Sequence, residues 1–182
     1  MDNEFKEFVK SNRLGIIRTV CASRRISGRQ EVNELFYDAA ESVVNLMISK
    51  LGTDAYKDYK YGLTDFYLDV IKSGSDDVKL DKPFMEKYET LLTIPCQSNE
   101  RAVTVLNHLL SKASIMSNGG FYPALMAQSI VIREEWGVFV VPENLMADYQ
   151  FNLIILMTCS NCYTRYNAAS WIVKHCFIPY RK

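Results

Sequence analysis

At 182 residues the chain is long enough for one domain that buries a substantial core without disulfide staples. A hydrophobic content of 48% with 12% aromatic residues excludes the disordered class, and five prolines with eight glycines are too few for a loop-rich all-β fold. The formal net charge is zero, yet it is unevenly spread: residues 1–30 carry seven basic and three acidic side chains, residues 31–100 seven and fourteen, residues 101–182 seven and four.

The basic excess is concentrated in one block. Lys10, Arg13, Arg18, Arg24, Arg25 and Arg29 fall within twenty residues that contain no acid. Such a block suits an anionic partner, RNA or DNA, even in a neutral protein. The alternative is a solvated helix face, or pairing with the acidic middle of the chain or of another copy.

Five cysteines are an odd number without the spacing of a small secreted framework, which points to a reducing compartment, cytoplasmic with nuclear left open. Met1-Asp2-Asn3-Glu4-Phe5 lacks the basic-then-apolar order of a signal peptide, and the C-terminus carries no lipidation signal. The apolar run Leu153–Met157 is far short of the roughly 20 residues of a membrane span, so no membrane partner is expected.

In chain order, Phe5, Phe8, Val9, Ile16, Ile17 and Val20 fit a short helix, a break near Gly15 and more helix, within a basic N-terminal segment 1–28. Ser23–Gly28 reads as a polar loop. Residues 29–51 are the cleanest amphipathic helix. Val32, Leu35, Phe36, Ala39, Val43, Leu46, Met47 and Leu51 make its apolar stripe, Glu31, Glu34, Asp38, Glu41 and Asn45 the other side, and Gly52 its C-terminal stop. Residues 53–69 interleave Tyr56, Tyr59, Tyr61 and Tyr67 with Lys57 and Lys60, a pattern that can stack on bases. Asp54, Asp58, Asp65 and Asp69 in the same stretch oppose phosphates.

Lys72–Asp77 reads as a loop, and Asp81 caps a helix with Pro83 in its first turn and Phe84, Met85, Tyr88, Leu91 and Leu92 on its buried face. After Pro95, Ser98 or Asn99 caps a helix whose stripe is Ala102, Val103, Leu106, Leu109, Leu110, Ala113 and Met116, stopped by Asn118-Gly119-Gly120. A further segment runs from Ala124 to Arg133. The β-branched and aromatic run round Glu134–Val141 admits a short hairpin near 130–141, or a helix followed by an extended connector, which is preferred because an isolated hairpin is marginal.

Pro142–Phe177 is the most hydrophobic part of the chain. It reads as a long buried helix, broken near Asn167, with the other helices packed round it. The expected architecture is therefore all-α: a single-domain bundle of six to eight helices over 1–182, round a buried C-terminal helix.

Chemistry is sparse. Cys159-Ser160-Asn161-Cys162 has the spacing of a redox pair or half a zinc site, and His175-Cys176 would complete four ligands, Cys159, Cys162, His175 and Cys176. Against this, adjacent His and Cys aim apart on a helix, and buried cysteine commonly serves as a small hydrophobe. His108 and His175 are the two histidines. Phosphate-loop, nucleophile-elbow and zinc-protease motifs are missing, so no cofactor and no catalysis are expected.

Glu135-Trp136-Gly137 after a helix, with Trp171-Ile172 at the head of a final turn, resembles two signature elements of Bcl-2-like helical bundles, including viral versions. The resemblance implies a hydrophobic groove that takes up an amphipathic partner helix. It spans roughly forty residues. The chain departs from the pattern in Glu135 where the family has Asn, in Val138 where it has Arg, and in lacking a Leu-x-x-x-Gly-Asp element.

Three functional expectations follow. The first is a non-catalytic helical interaction or assembly protein that binds a protein partner or itself. The second is a nucleic-acid-binding or nucleocapsid-type viral subunit using the basic block. The third is a Bcl-2-like groove protein, with a metal- or thiol-dependent enzyme at the C-terminal cysteines as the minority alternative to a non-catalytic role.

Overall fold

The computed structural model describes residues 1–24, 34–52, 82–113 and 120–181. Among them are eight α-helices: α1 (Asn3–Ser11), α2 (Arg13–Arg24), α3 (Glu34–Ser49), α4 (Lys82–Leu92), α5 (Ser98–Ala113), α6 (Phe121–Arg133), α7 (Met146–Thr158) and α8 (Cys162–His175). Two short strands, β1 (Gly137–Phe139) and β2 (Phe177–Pro179), pair antiparallel. The expected all-α multi-helix architecture with a short β element is what forms. The tyrosine-rich 53–69 stretch, the 72–77 loop and the Asp81 cap lie outside the described residues.

Asp2 caps α1 by accepting from Glu4 N–H at 3.2 Å, and Lys10 sits in the last turn, where a cation complements the helix dipole. The break comes at Asn12, whose side-chain amide donates to the Phe8 carbonyl at 2.9 Å, and not at Gly15. Gly15 lies inside α2, where a Cβ would stand 2.7 Å from Val140 Cγ1. It is there to let the chain after β1 press against the helix.

In α3 the buried edge is Ala40, Val44 and Met47, continued by Leu51 just past its end. Leu46, assigned to the stripe from its spacing, is 46% exposed. The stripe was wide enough to admit either of two neighbouring faces, and packing against α1 and α2 chose between them. Gly52 does end the segment, with φ at +80°, a conformation that a Cβ disfavours.

The helix buried on nearly all sides is α6. Every residue from Pro123 to Ile132 is buried, because α2, α5 and β1 all pack on it. Its C-terminus closes with Trp136 N–H donating to the Val131 carbonyl and Glu135 N–H to the Ile132 carbonyl, both at 3.0 Å. Glu135 takes φ 51°. This is the Schellman arrangement, with glutamate where glycine is usual. Ser98 Oγ and Arg101 Nη1 both donate to the Glu134 carboxylate. Arg101 Nη2 also donates to the carbonyls of Ile94 and Cys96, at 2.9 and 3.2 Å. One guanidinium thus ties the α4–α5 connection to the end of α6.

The β element sits where β character was read, but its partner comes from the far end of the chain. Gly137 pairs with Pro179, Val138 with Ile178 and Phe139 with Phe177, while residues 130–132 remain helical. Two strands alone would be marginal; here the other edge is satisfied by side chains. Phe139 N–H donates to Gln128 Oε1 and Val141 N–H to Thr19 Oγ1, each at 2.9 Å. Phe139 stacks on Phe177 with centroids 4.7 Å apart, and Phe5 meets Tyr180 edge-on at 5.1 Å. These contacts clamp the terminal strand to α1 and β1. A Cβ on Gly137 would collide with the Ile178 carbonyl oxygen.

The C-terminal region is two helices, broken earlier than expected, and it is not the centre. The break falls at Cys159–Asn161, where Asn161 Oδ1 accepts from Thr164 N–H at 3.0 Å to cap α8. Asn167, the expected break, is an interior residue of α8. Only Tyr149, Leu153 and Leu156 of α7, and Ala168 and Ile172 of α8, are buried. Hydrophobicity along 142–177 measured how apolar the stretch is, and the fold buries one edge of it.

Candidate functional site

The C-terminal thiols and histidine are held apart by α8 itself. Cys162 begins the helix and His175 ends it. Thirteen residues at 1.5 Å each put about 20 Å between them. Cys159 and Asn161, which flank Ser160 in the bridge between the two helices, are both extended, at ψ 129° and 116°. Cys176 is fully buried, and burial pushes its thiol up to about 12. His175 packs its ring against Trp171 at 4.9 Å. The four candidate ligands do not converge, and no metal-type cluster of three or more His, Cys, Asp or Glu occurs among the described residues.

Three members of the basic block meet carboxylates. Lys10 pairs with Glu7 at 2.6 Å. Arg13 bridges Glu41 and donates to Asn45 Oδ1 at 2.6 Å, which is the pairing with the acidic middle of the chain. Arg18 faces Glu143 at 3.8 Å, both well exposed. Arg24 ends α2, and Arg25 and Arg29 lie outside the described residues. Cations already matched to carboxylates have less to offer a phosphate backbone.

Two surface features remain, both made by α7 and α8. The first is the outward stripe of α7: Ala147, Phe151, Ile154 and Thr158 recur at helical spacing and all are exposed. Phe151 is 63% and Ile154 41% accessible, and the stripe carries no charge. With Tyr149, Leu153 and Leu156 on the inner side, the helix has two apolar edges separated by Asp148, Gln150 and Asn152, and a second apolar edge suits a helix covered on both faces.

The second is a cleft of about 750 Å³ between α5 and α8. Val103, Ala169 and Val173 give it apolar walls, Tyr166 an aromatic edge, and Glu100 and Arg165 its charges. Arg165 reaches across it: Nη2 donates to Asn107 Oδ1 and Nη1 to the Cys159 carbonyl at 3.3 Å. Sequence reasoning missed this cleft. Of its lining, Ala169 and Ser170 lie just past Arg165 on α8, and neither carries a periodicity that marks a cleft.

The residues behind the Bcl-2 resemblance are employed in packing. Trp136 lies edge-on to Phe177 at 6.0 Å, Gly137 opens β1, and Trp171 contacts His175; neither tryptophan lines the cleft. No described helix is long and apolar enough to cross a membrane. No protein-family model matches the chain, and neither a curated protein nor a solved structure matches it.

Proposed function

We propose that this chain is a non-catalytic helical interaction protein that associates with a second copy of itself through the outward face of α7. The observation that carries the reading is the uncharged, exposed stripe of Phe151 and Ile154 on a helix whose inner edge is already buried. Leaving two large apolar side chains in water forgoes about 1.5–3 kcal/mol each relative to burial.

A second copy is favoured over an unrelated chain because the stripe is self-compatible. A two-fold contact sets the same residues against themselves, and a row of Ala147, Phe151, Ile154 and Thr158 brings no like charges together. A stripe one helix long covers less than the roughly 800 Å² per partner of a standard interface. The association is therefore weak unless Tyr163, 71% exposed on α8, extends it. The non-catalytic half of the reading is supported by Cys162 and His175 standing at opposite ends of α8, too far apart to act as nucleophile and base.

Light scattering coupled to gel filtration over a hundredfold concentration range tests this. The mass should rise with concentration in the natural sequence and stay at one chain for Phe151→Asp and Ile154→Asp, with unchanged helical circular dichroism. One chain at every concentration in the natural sequence overturns self-association.

A further inference from the structure

We infer that the α5–α8 cleft is a binding site for an amphipathic monocarboxylate, with its charged head at Arg165 and its apolar body along Val103, Ala169 and Val173. The cleft is large enough for a small ligand, at about 750 Å³. Among the described residues, the partners of Arg165 are two neutral acceptors, the Asn107 side chain and the Cys159 carbonyl. These anchor the guanidinium without cancelling its charge. A guanidinium has five N–H donors, so two used donors leave three, enough for the two parallel hydrogen bonds that a carboxylate accepts.

The other end of the cleft has the opposite sign. Glu100 also lines it, and its Oε2 is occupied in accepting from Gln97 N–H at 3.2 Å. Glu100 precedes Asn107, the residue that Arg165 touches, by seven positions on the same helix, about 10 Å along its axis. That is the length of an eight-carbon chain. A ligand with one carboxylate therefore lies with its head at Arg165 and its tail towards Glu100. A second carboxylate at the tail would meet the like charge of Glu100, an exposed carboxylate at the cleft's rim, and that repulsion disfavours it.

The test uses octanoate, octanedioate and 8-aminooctanoate, which share a chain length and differ only at the far end. Binding is read from amide shifts in ¹H–¹⁵N correlation spectra of the full chain. Octanoate should give saturable shifts centred on Val103, Ala169 and Val173. Octanedioate should bind at least tenfold more weakly and 8-aminooctanoate as tightly as octanoate or tighter. Arg165→Gln should weaken octanoate at least tenfold, with Arg165→Lys recovering part of the loss. Because replacing Arg165 also removes its bond to Asn107, Glu100→Gln provides an independent arm, and it should bring octanedioate to within threefold of octanoate. Phe151→Asp, which addresses the α7 face, should change none of these affinities. Shifts that do not saturate or centre elsewhere overturn the site. So does octanedioate binding as tightly as octanoate in the natural sequence, or octanoate binding indifferent to Arg165→Gln.

Discussion

The hydroxyls of Tyr149 and Ser23 lie 2.7 Å apart in the interior, joining residues 126 positions apart in the chain. Ser23 Oγ spends its proton on the Thr19 carbonyl at 2.7 Å, so Tyr149 is the donor of the pair. Thr19 Oγ1 in turn donates to the Gly15 carbonyl and accepts from Val141 N–H, both at 2.9 Å. This short polar row binds α2 to α7 and to the chain just after β1. Every hydroxyl in it has a partner, which is the condition for burying it at all.

Replacing Tyr149 by Phe should therefore cost about 1 kcal/mol, the usual net worth of one buried neutral hydrogen bond. Tyr149→Ala should cost about 3–5 kcal/mol, because it also empties the space beside Phe139, whose ring stands 5.8 Å away. Urea unfolding followed by circular dichroism checks both. A phenylalanine variant as stable as the natural sequence would show that the hydroxyl pair contributes nothing.

Cys176 sets a limit at alkaline pH. Burial raises its thiol from the ordinary 9.0 to about 12. The unfolded chain thus releases this proton near pH 9 while the folded chain keeps it. Stability from this group is whole below pH 9 and declines as pH rises towards 12, by roughly 1.4 kcal/mol per pH unit. Tyr149, also raised by burial, adds a decline of the same sign from about pH 10. Denaturation midpoints measured from pH 8 to 11 should fall, and the fall between 9 and 10 should be largely absent in Cys176→Ala. A natural protein equally stable at pH 8 and 10.5 would contradict the burial of both groups.

Gly15 and Val140 should behave as a coupled pair. A methyl group on Gly15 meets Val140 Cγ1 at 2.7 Å, so Gly15→Ala should cost about 1–3 kcal/mol by overpacking, despite the better helix propensity of alanine. Adding Val140→Ala should recover much of that loss. A double-mutant cycle by thermal or urea unfolding should yield a coupling energy above about 0.5 kcal/mol. Additive effects would mean that α2 and the chain after β1 do not press on one another.

How much of this was legible beforehand follows from what each signal measures. The helices of 82–92 and 98–113 could be read because spacing of three and four is a local property of the backbone. Gly52 could be read as a stop because its φ of +80° is a demand on a single residue. The choice of face on α3 was harder, since Leu46 and Met47 are neighbours and both apolar. Only the helices packed against it sent Leu46 outward and Met47 inward.

What the amino-acid sequence determined by itself was therefore the all-α class, the approximate extents of α3, α4 and α5, and the lack of a recognisable catalytic motif. The tertiary structure alone decided that α6 and not the C-terminal stretch is central, that Gly137–Phe139 pairs with Phe177–Pro179, that Cys162 and His175 stand at opposite ends of α8, and that Arg165 and Glu100 share a cleft. The physical reason is common to all four. Periodicity and composition state that a face is apolar or a group is charged, but which surface covers that face, or which group stands opposite that charge, depends on contacts between residues tens of positions apart.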